Sequence, residues 1–358
     1  MAIALLVSAA LLGCGPANAQ DFPQSIPKPS ITAVAFSPDG KYVMGGDNEG
    51  VLTLWTVDGG KFVTQFKAPS PYPVRVLVFA PDSKRIIGST VGAPFVPELG
   101  GQLGEICIWA IPSGKLLKAL DTTVGAFDIS MSKDGTSILT IGEDKLRSWN
   151  LSDFSLIRDF GDLGKNSRRI AVLPSGTQAL VDHEDGLAIV DLSNGKIVSR
   201  FKQVEGFVRD FTPDGSKALM GYKKNLVLVD LKTQKRLRNL SLGPDDGNDE
   251  LGFQAMTVTA ISSDAKYLLR TSWVGPDHPG QVGIVLWSTH GGDQPREFYA
   301  GGSTFGITAL CFSSNGRLVA SGECDNSVKI WDTFSGRHRF TLVPPEPKKQ
   351  PKISDKSE

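Results

Sequence analysis

The stretch "AFSPDGKYVMGG", residues 35–46, is two apolar-rich β-runs around a tight turn, and the chain restates it six more times. The copies are "VFAPDSKRIIGS", "SMSKDGTSILTI", "AVLPSGTQALVD", "DFTPDGSKALMG", "AISSDAKYLLRT" and "CFSSNGRLVASG". They recur at roughly 40 to 50 residues, a period that signals stacked repeats. That repetition overrides the two-domain expectation that 358 residues would otherwise carry.

Each unit opens on a short apolar run such as "ITAVAF" or "ITALCF" and turns through Ser-Pro-Asp-Gly or a relative. Proline presets the first turn angle, aspartate bonds back to the backbone, and glycine accepts positive φ. A second run follows, then a bend, then a third run ending on an aromatic or β-branched residue: "VLTLW", "EICIW", "KLRSW", "LAIVD", "LVLVD", "GIVLW", "VKIWD". A turn rich in Gly, Ser and Asp leads to a fourth run bearing Lys or Arg. Four strands per unit leave no room for helices. One four-stranded meander cannot bury both faces alone, but a ring of them can. The expected fold is all-β: a single seven-bladed β-propeller with four antiparallel strands per blade, over residues 31–342.

The pair Trp331-Asp332 within "SVKIWDTFSG" resembles the WD-repeat family. Trp55, Trp109, Trp149 and Trp287 keep the aromatic, while Val190-Asp191 and Val229-Asp230 keep only the aspartate. The family's Gly-His pair before the first strand is missing from every unit, so its His-centred network does not carry over. The resemblance implies a rigid platform for protein partners and a ring usually closed by an N-terminal strand lent to the last blade. Here the last unit has its own fourth run, "RHRFTL", and the chain enters through "FPQSIPKPS", too proline-rich for a central strand. Closure is expected from side-chain packing between blades one and seven.

The first 19 residues stand apart. "MAIALLVSAALLG" is an uncharged apolar run of signal-peptide length, too short for a spanning helix, and "ANAQ" supplies small residues before Gln20. The alternative exit is "LLGC", which resembles a bacterial lipobox and would lipidate Cys14. Either way an exported protein is expected, periplasmic or secreted, touching a membrane only through that lipid. Residues 20–30 read as a linker, and the Pro- and Lys-rich tail 343–358 reads as disordered. Charge is balanced, 38 basic against 38 acidic residues, which argues against nucleic acid as a partner. Four cysteines are too few for a disulfide scaffold. Lys and Arg on the fourth runs read as edge protection of the outermost strands.

Motifs for chemistry are scarce. The chain has no nucleophile elbow, phosphate loop or dinucleotide fingerprint, and its four histidines, 183, 278, 290 and 338, stand at no metal-ligand spacing. Cys107 and Cys311 lie within strand runs and read as small buried hydrophobes. No cofactor or metal is expected. On the innermost strands one face is small and apolar except in three consecutive units, where it carries Asp128, Arg169 and Asp210. One reading is an inter-blade charge cluster in which Arg169 neutralises both carboxylates and holds them ionised. The other is a secreted propeller enzyme, a hydrolase or lyase, using Asp128 and Asp210 as acid and base.

Three stretches break the repeat period: 90–105, 242–254 and 272–281. The first and third lie between second and third strands, the second between one unit's last strand and the next unit's first. In an up-and-down meander both connection types emerge on one side. They carry Phe95, Phe253, Trp273, Asp277 and His278, and Tyr72 in "APSPYPVR" falls on that side too. Aromatics beside charges on loops held by a rigid scaffold suit a protein-binding surface. The expected function is therefore a monomeric, non-enzymatic interaction platform, its protein partner unidentified. The alternative is that these loops merely cap the channel.

Overall fold

Every apolar run of the repeat is a strand. The computed structural model describes residues 29–96, 101–120, 122, 125–132, 134–142, 145–162, 167–183, 186–201, 207–212, 215–222, 225–241, 258–273, 282–290, 295–298 and 306–345. Twenty-eight strands form seven four-stranded sheets, each an antiparallel meander of four consecutive strands. The blades span residues 31–67, 74–119, 128–162, 170–201, 207–241, 259–298 and 307–342. The architecture is a seven-bladed β-propeller with no helix among the described residues.

The turns repeat because their hydrogen bonds repeat. In blade one the Ser37 hydroxyl donates to Asp39 (2.7 Å), whose carboxylate accepts the Lys41 N–H (3.1 Å), and Gly40 takes φ +72°. Ser132 with Asp134, Ser262 with Asp264, and Ser313 with Asn315 rebuild that knot. The residue after the third strand's aromatic position also has a local task. Asn150, Asp191, Asp230 and Asp332 accept N–H bonds from Ser152, Ser193, Thr233 and Ser335, which caps the turn into the fourth strand. This explains why the polar residue survives where the tryptophan is lost. A turn needs its acceptor, whereas the aromatic position needs only apolar volume.

The core is divided among the seams between blades. Trp109 packs with Leu54 and Met44 between blades one and two, and Trp149 with Ile87 and Ile108 between two and three. Trp331 meets Phe298 at 6.3 Å between six and seven. Trp55 lies with Val328 and Ile330 between seven and one, closing the ring. A buried large side chain contributes about 2 kcal/mol, so each seam carries several such terms. No strand of blade seven comes from the N-terminus among the described residues: its sheet is made of Ile307–Phe312, Leu318–Glu323, Val328–Asp332 and His338–Leu342.

Backbone clips cross the same seam. The Thr308 hydroxyl donates to the Ile31 carbonyl, Ser30 to that of Cys324 (2.9 Å) and Ser314 to that of Pro38 (2.9 Å). The first clip is not special to closure. Thr32 occupies the same repeat position in blade one and donates to the Val74 carbonyl of blade two (2.7 Å).

One expectation needs correction. Residues 90–96 and 101–105 are strand rather than loop. The second strand of blade two runs Arg85–Val96 and the third Gly101–Ala110, and they stay paired out to Phe95 with Gln102 and Val96 with Gly101. The run "TVGAPFV" keeps enough β-branched and apolar character to continue the ladder, with one irregularity between Val91 and Phe95.

The outer rim also differs from a purely charged belt. Phe62, Leu116, Leu117, Leu156, Ile157, Val198 and Leu237 on the fourth strands are exposed. An outermost strand has no further strand to cover its second face, so alternate apolar positions meet water.

Candidate functional site

Blade seven lacks the histidine of the repeat it resembles, yet its tryptophan is still anchored. Trp331 Nε1 donates to the Ser321 hydroxyl (2.9 Å), which donates to Glu323 (2.7 Å), and Lys329 Nζ lies 3.8 Å from the same carboxylate. Glu323 is 1% exposed, so its charge survives there because a cation and hydroxyls surround it. In blade three only the first link remains, from Trp149 to Thr140 (3.0 Å). These networks hold neighbouring strands together.

The charged inner strands converge at one mouth of the channel. The innermost strand of each blade starts on the side where second strands end, so Arg75, Arg168, Arg169 and Asp182 share that end. Four first strands carry a bulge there: the pairing skips Thr32, Arg75, Arg209 and Thr308. A bulge re-aims the extra side chain. At Thr32 and Thr308 it turns a hydroxyl onto the next blade. At Arg75 it turns a guanidinium outward, and Arg75 is exposed although its strand is innermost, so the water it meets is that of the channel.

Asp128 and Asp210 turn away from this water. Asp128 accepts the N–H of Ile129 (2.9 Å) and, across the seam, that of Ile170 (3.0 Å). Asp210 likewise accepts from Phe211 (2.8 Å) and, across the next seam, from Ile261 (3.2 Å). Asp182, which sequence reasoning missed, accepts from Arg169 (2.7 Å) and Arg168 within blade four. Blade one makes the corresponding bond with a neutral amide, Asn48 accepting from the Ser30 N–H (3.0 Å). Only that parallel with Asn48 could have pointed to Asp182.

Arg169 acts on Asp128 and on Asp210, at different range. Its Nη1 reaches Asp128 Oδ2 at 4.0 Å, and it influences Asp210 only through space. Burial outweighs that attraction. It raises Asp128, and it pushes Asp210 and Asp182 up to about 6, with Arg169 and the backbone donors opposing. Although Arg75 meets channel water, the protein walls around it and then the like charges of Arg169 and Arg168 push it down to about 10, with Asp128 opposing.

The expected partner face is described only in part. Tyr72 lies at the base of the long hairpin, its ring so close to Gly92 that a Cβ there would sit 2.7 Å from it. Beside it Ser70 donates to Glu105. Phe95 and Trp273 belong to strands whose side chains there lie outside the described residues, and Phe253, Asp277, His278 and Cys14 lie outside them altogether. On the opposite face, a cleft of about 650 Å³ between blades two and three is lined by Asp82, Arg85, Asp134 and Asn150, among others. Its Arg85 is already bound to Asp82 and to the Leu151 carbonyl (2.6 Å). No cluster of three metal-ligating side chains occurs among the described residues.

Residues 22–56 and 294–332 match the family described as "WD domain, G-beta repeat". They cover the first three strands of blades one and seven, the pair that meets at the closing seam. The chain is 26% identical over 330 residues, 87% of its length, to telomerase protein component 1 of Rattus norvegicus. It is 32% identical over 173 residues, 46% of its length, to the protein of that name from Mus musculus. The chain spans 12% and 6% of those relatives. Repeat match and seven-bladed ring together support a WD-repeat propeller.

Proposed function

We propose that this chain is a non-enzymatic protein-interaction platform, exported as a monomer, whose partner binds the face carrying the long connections. The observation that carries the reading is the blade-two hairpin. Its arms of 12 and 10 residues outrun the six-residue strands typical of the other blades, and Tyr72 packs against its base. An extended hairpin on a rigid ring presents backbone edges and side chains at little ordering cost. The relatives are named as a protein component of a larger enzyme, which is consistent with a propeller that serves assembly. Export rests on the N-terminal 19 residues, and a mature chain beginning at Gln20 or at lipidated Cys14 would show which exit is used.

The enzyme alternative gains one point from Asp210, whose elevated pKa suits a general acid. Against it, each carboxylate spends both oxygens on backbone N–H groups, so neither is aimed at a reacting atom.

The test is to delete residues 92–101, or replace Trp273 with Ala, and compare captured partner and thermal stability with the wild type. Partner capture should fall at least tenfold while the melting temperature holds. Unchanged capture with lowered stability would mean that the connections are structural and the binding face lies elsewhere, with the cleft at Asp82 and Asp134 the next surface to alter.

A further inference from the structure

We infer that the channel mouth formed by blades two to five is a binding site for a small oxyanion, a phosphate or carboxylate group held by Arg75 and Arg168. The argument begins with what the local carboxylates are doing. Asp128 and Asp210 each accept backbone N–H bonds on both oxygens, which aims them into the blades, and Asp182 accepts two on Oδ1. Four guanidiniums, those of Arg75, Arg168, Arg169 and Arg209, stand around them. Arg169 meets Asp128 at 4.0 Å, on an oxygen already bonded to Ile170. Arg168 lies over the Phe127 ring at 5.5 Å, which holds the guanidinium in place and leaves its N–H fork free of any carboxylate.

Arg75 is the sharper observation. A bulge turns it out of the ladder into channel water, and no carboxylate pairs with it among the described residues. The charges acting on it are two of the same sign, Arg169 and Arg168, and, more weakly, Asp128. Thr32 and Thr308 at the same repeat position show what a purely structural residue does there: it clips the next blade. Arg75 makes no such clip among the described residues. Two planar forks in a narrow, protein-walled channel match an oxyanion in shape and charge, and the low-dielectric walls strengthen the attraction. The anion could arrive as a free small molecule or as the acidic side chain of a bound protein. The chemistry is common to both.

Calorimetric titration of the mature propeller with inorganic phosphate, citrate and hexaglutamate, at fixed ionic strength and pH 7.5, tests this. Saturable binding with one site per chain is expected for at least one probe, weakened tenfold or more in Arg75→Gln and in Arg168→Gln. Preference for phosphate or citrate would assign a free anion, and preference for hexaglutamate an acidic side chain. Arg339→Gln, on the outer strand of blade seven, should bind as the wild type does. Stability supplies a second readout. Without anion, Arg75→Gln should melt no lower than the wild type, because the repulsion it removes from Arg169 and Arg168 exceeds the attraction it loses to Asp128. The inference is overturned if no probe saturates, if Arg75→Gln binds equally well, or if that variant is destabilised in chloride alone. Failure here would leave the partner reading standing, since the hairpin deletion does not touch these arginines.

Discussion

Two arcs of the same ring solve the same problem differently. Where blades seven, one and two meet, inner strands are joined by threonine hydroxyls donating to carbonyls, through Thr308 and Thr32. Between blades three and four and between five and six the joins are carboxylates accepting N–H groups, through Asp128 and Asp210. A hydroxyl clip is neutral and asks nothing of its surroundings. A carboxylate clip makes a stronger bond but carries a charge into a partly dry channel, which must be answered by cations. Arg169 answers that charge at Asp128, while burial raises the pKa of Asp182 and Asp210 against their backbone donors. Repeats that look equivalent in pattern therefore differ in what they can bind.

The comparison breaks most visibly at Asp128. Asp128→Ala should cost about 3 kcal/mol, since it orphans the Ile170 N–H and removes the charge beside Arg169. Asp128→Asn should cost less, because the amide oxygen can still accept one bond. Urea unfolding measures both, and equal losses would mean that charge rather than hydrogen bonding holds this seam.

A smaller effect is expected from pH. Asp182 and Asp210 titrate near 6 in the folded chain, against 3.8 for an ordinary aspartate, so the native state binds more protons between those values. Stability from this pair is thus full below about pH 4, falls as pH rises, and is gone above about pH 6. The wild type should be more stable at pH 5 than at pH 7 by about 2–3 kcal/mol, and the double variant Asp182→Asn, Asp210→Asn should lose that slope. Asp332, held down to about 2 by the Ser335 N–H and Arg339, acts the other way but only in more acidic solution. A flat wild-type profile would mean that both carboxylates are better solvated than their burial implies.

The neutral arc should give the smallest change. Thr308→Val and Thr32→Val each remove one hydroxyl clip and should cost about 1 kcal/mol. The two losses should agree within about 0.5 kcal/mol, because the closing seam uses the clip found between blades one and two. A markedly larger loss at Thr308 would show that closure is the weak point of the ring.

The ring was legible because each unit writes its turns in local chemistry. Ser37, Asp39 and Gly40 form their knot within four residues, so the pattern appears in sequence as it does in space. The aspartate after the third strand is legible for the same reason. The hairpin of blade two misled because "TVGAPFVPELGGQ" reads as punctuation by its Gly and Pro, while cross-strand pairing carries the ladder through to Val96. Asp128, Arg169 and Asp210 could be placed on inner strands by counting, but their partners could not. The Ile170 and Ile261 N–H groups lie 42 and 51 residues away, and only the stacking of blades brings them to the carboxylates.

Sequence alone determined the repeat number, the four-strand unit, the turn chemistry and the all-β class, since each follows from contacts within a few residues or from period-two alternation. Tertiary structure alone decided which inner side chains clip a neighbour and which face the channel. A bulge of one residue makes that difference at Arg75 and Thr32, and nothing local distinguishes them beyond the side chain itself. It also decided that burial outweighs Arg169 in setting the state of Asp210, because desolvation depends on every wall of the channel while the sequence shows one strand at a time.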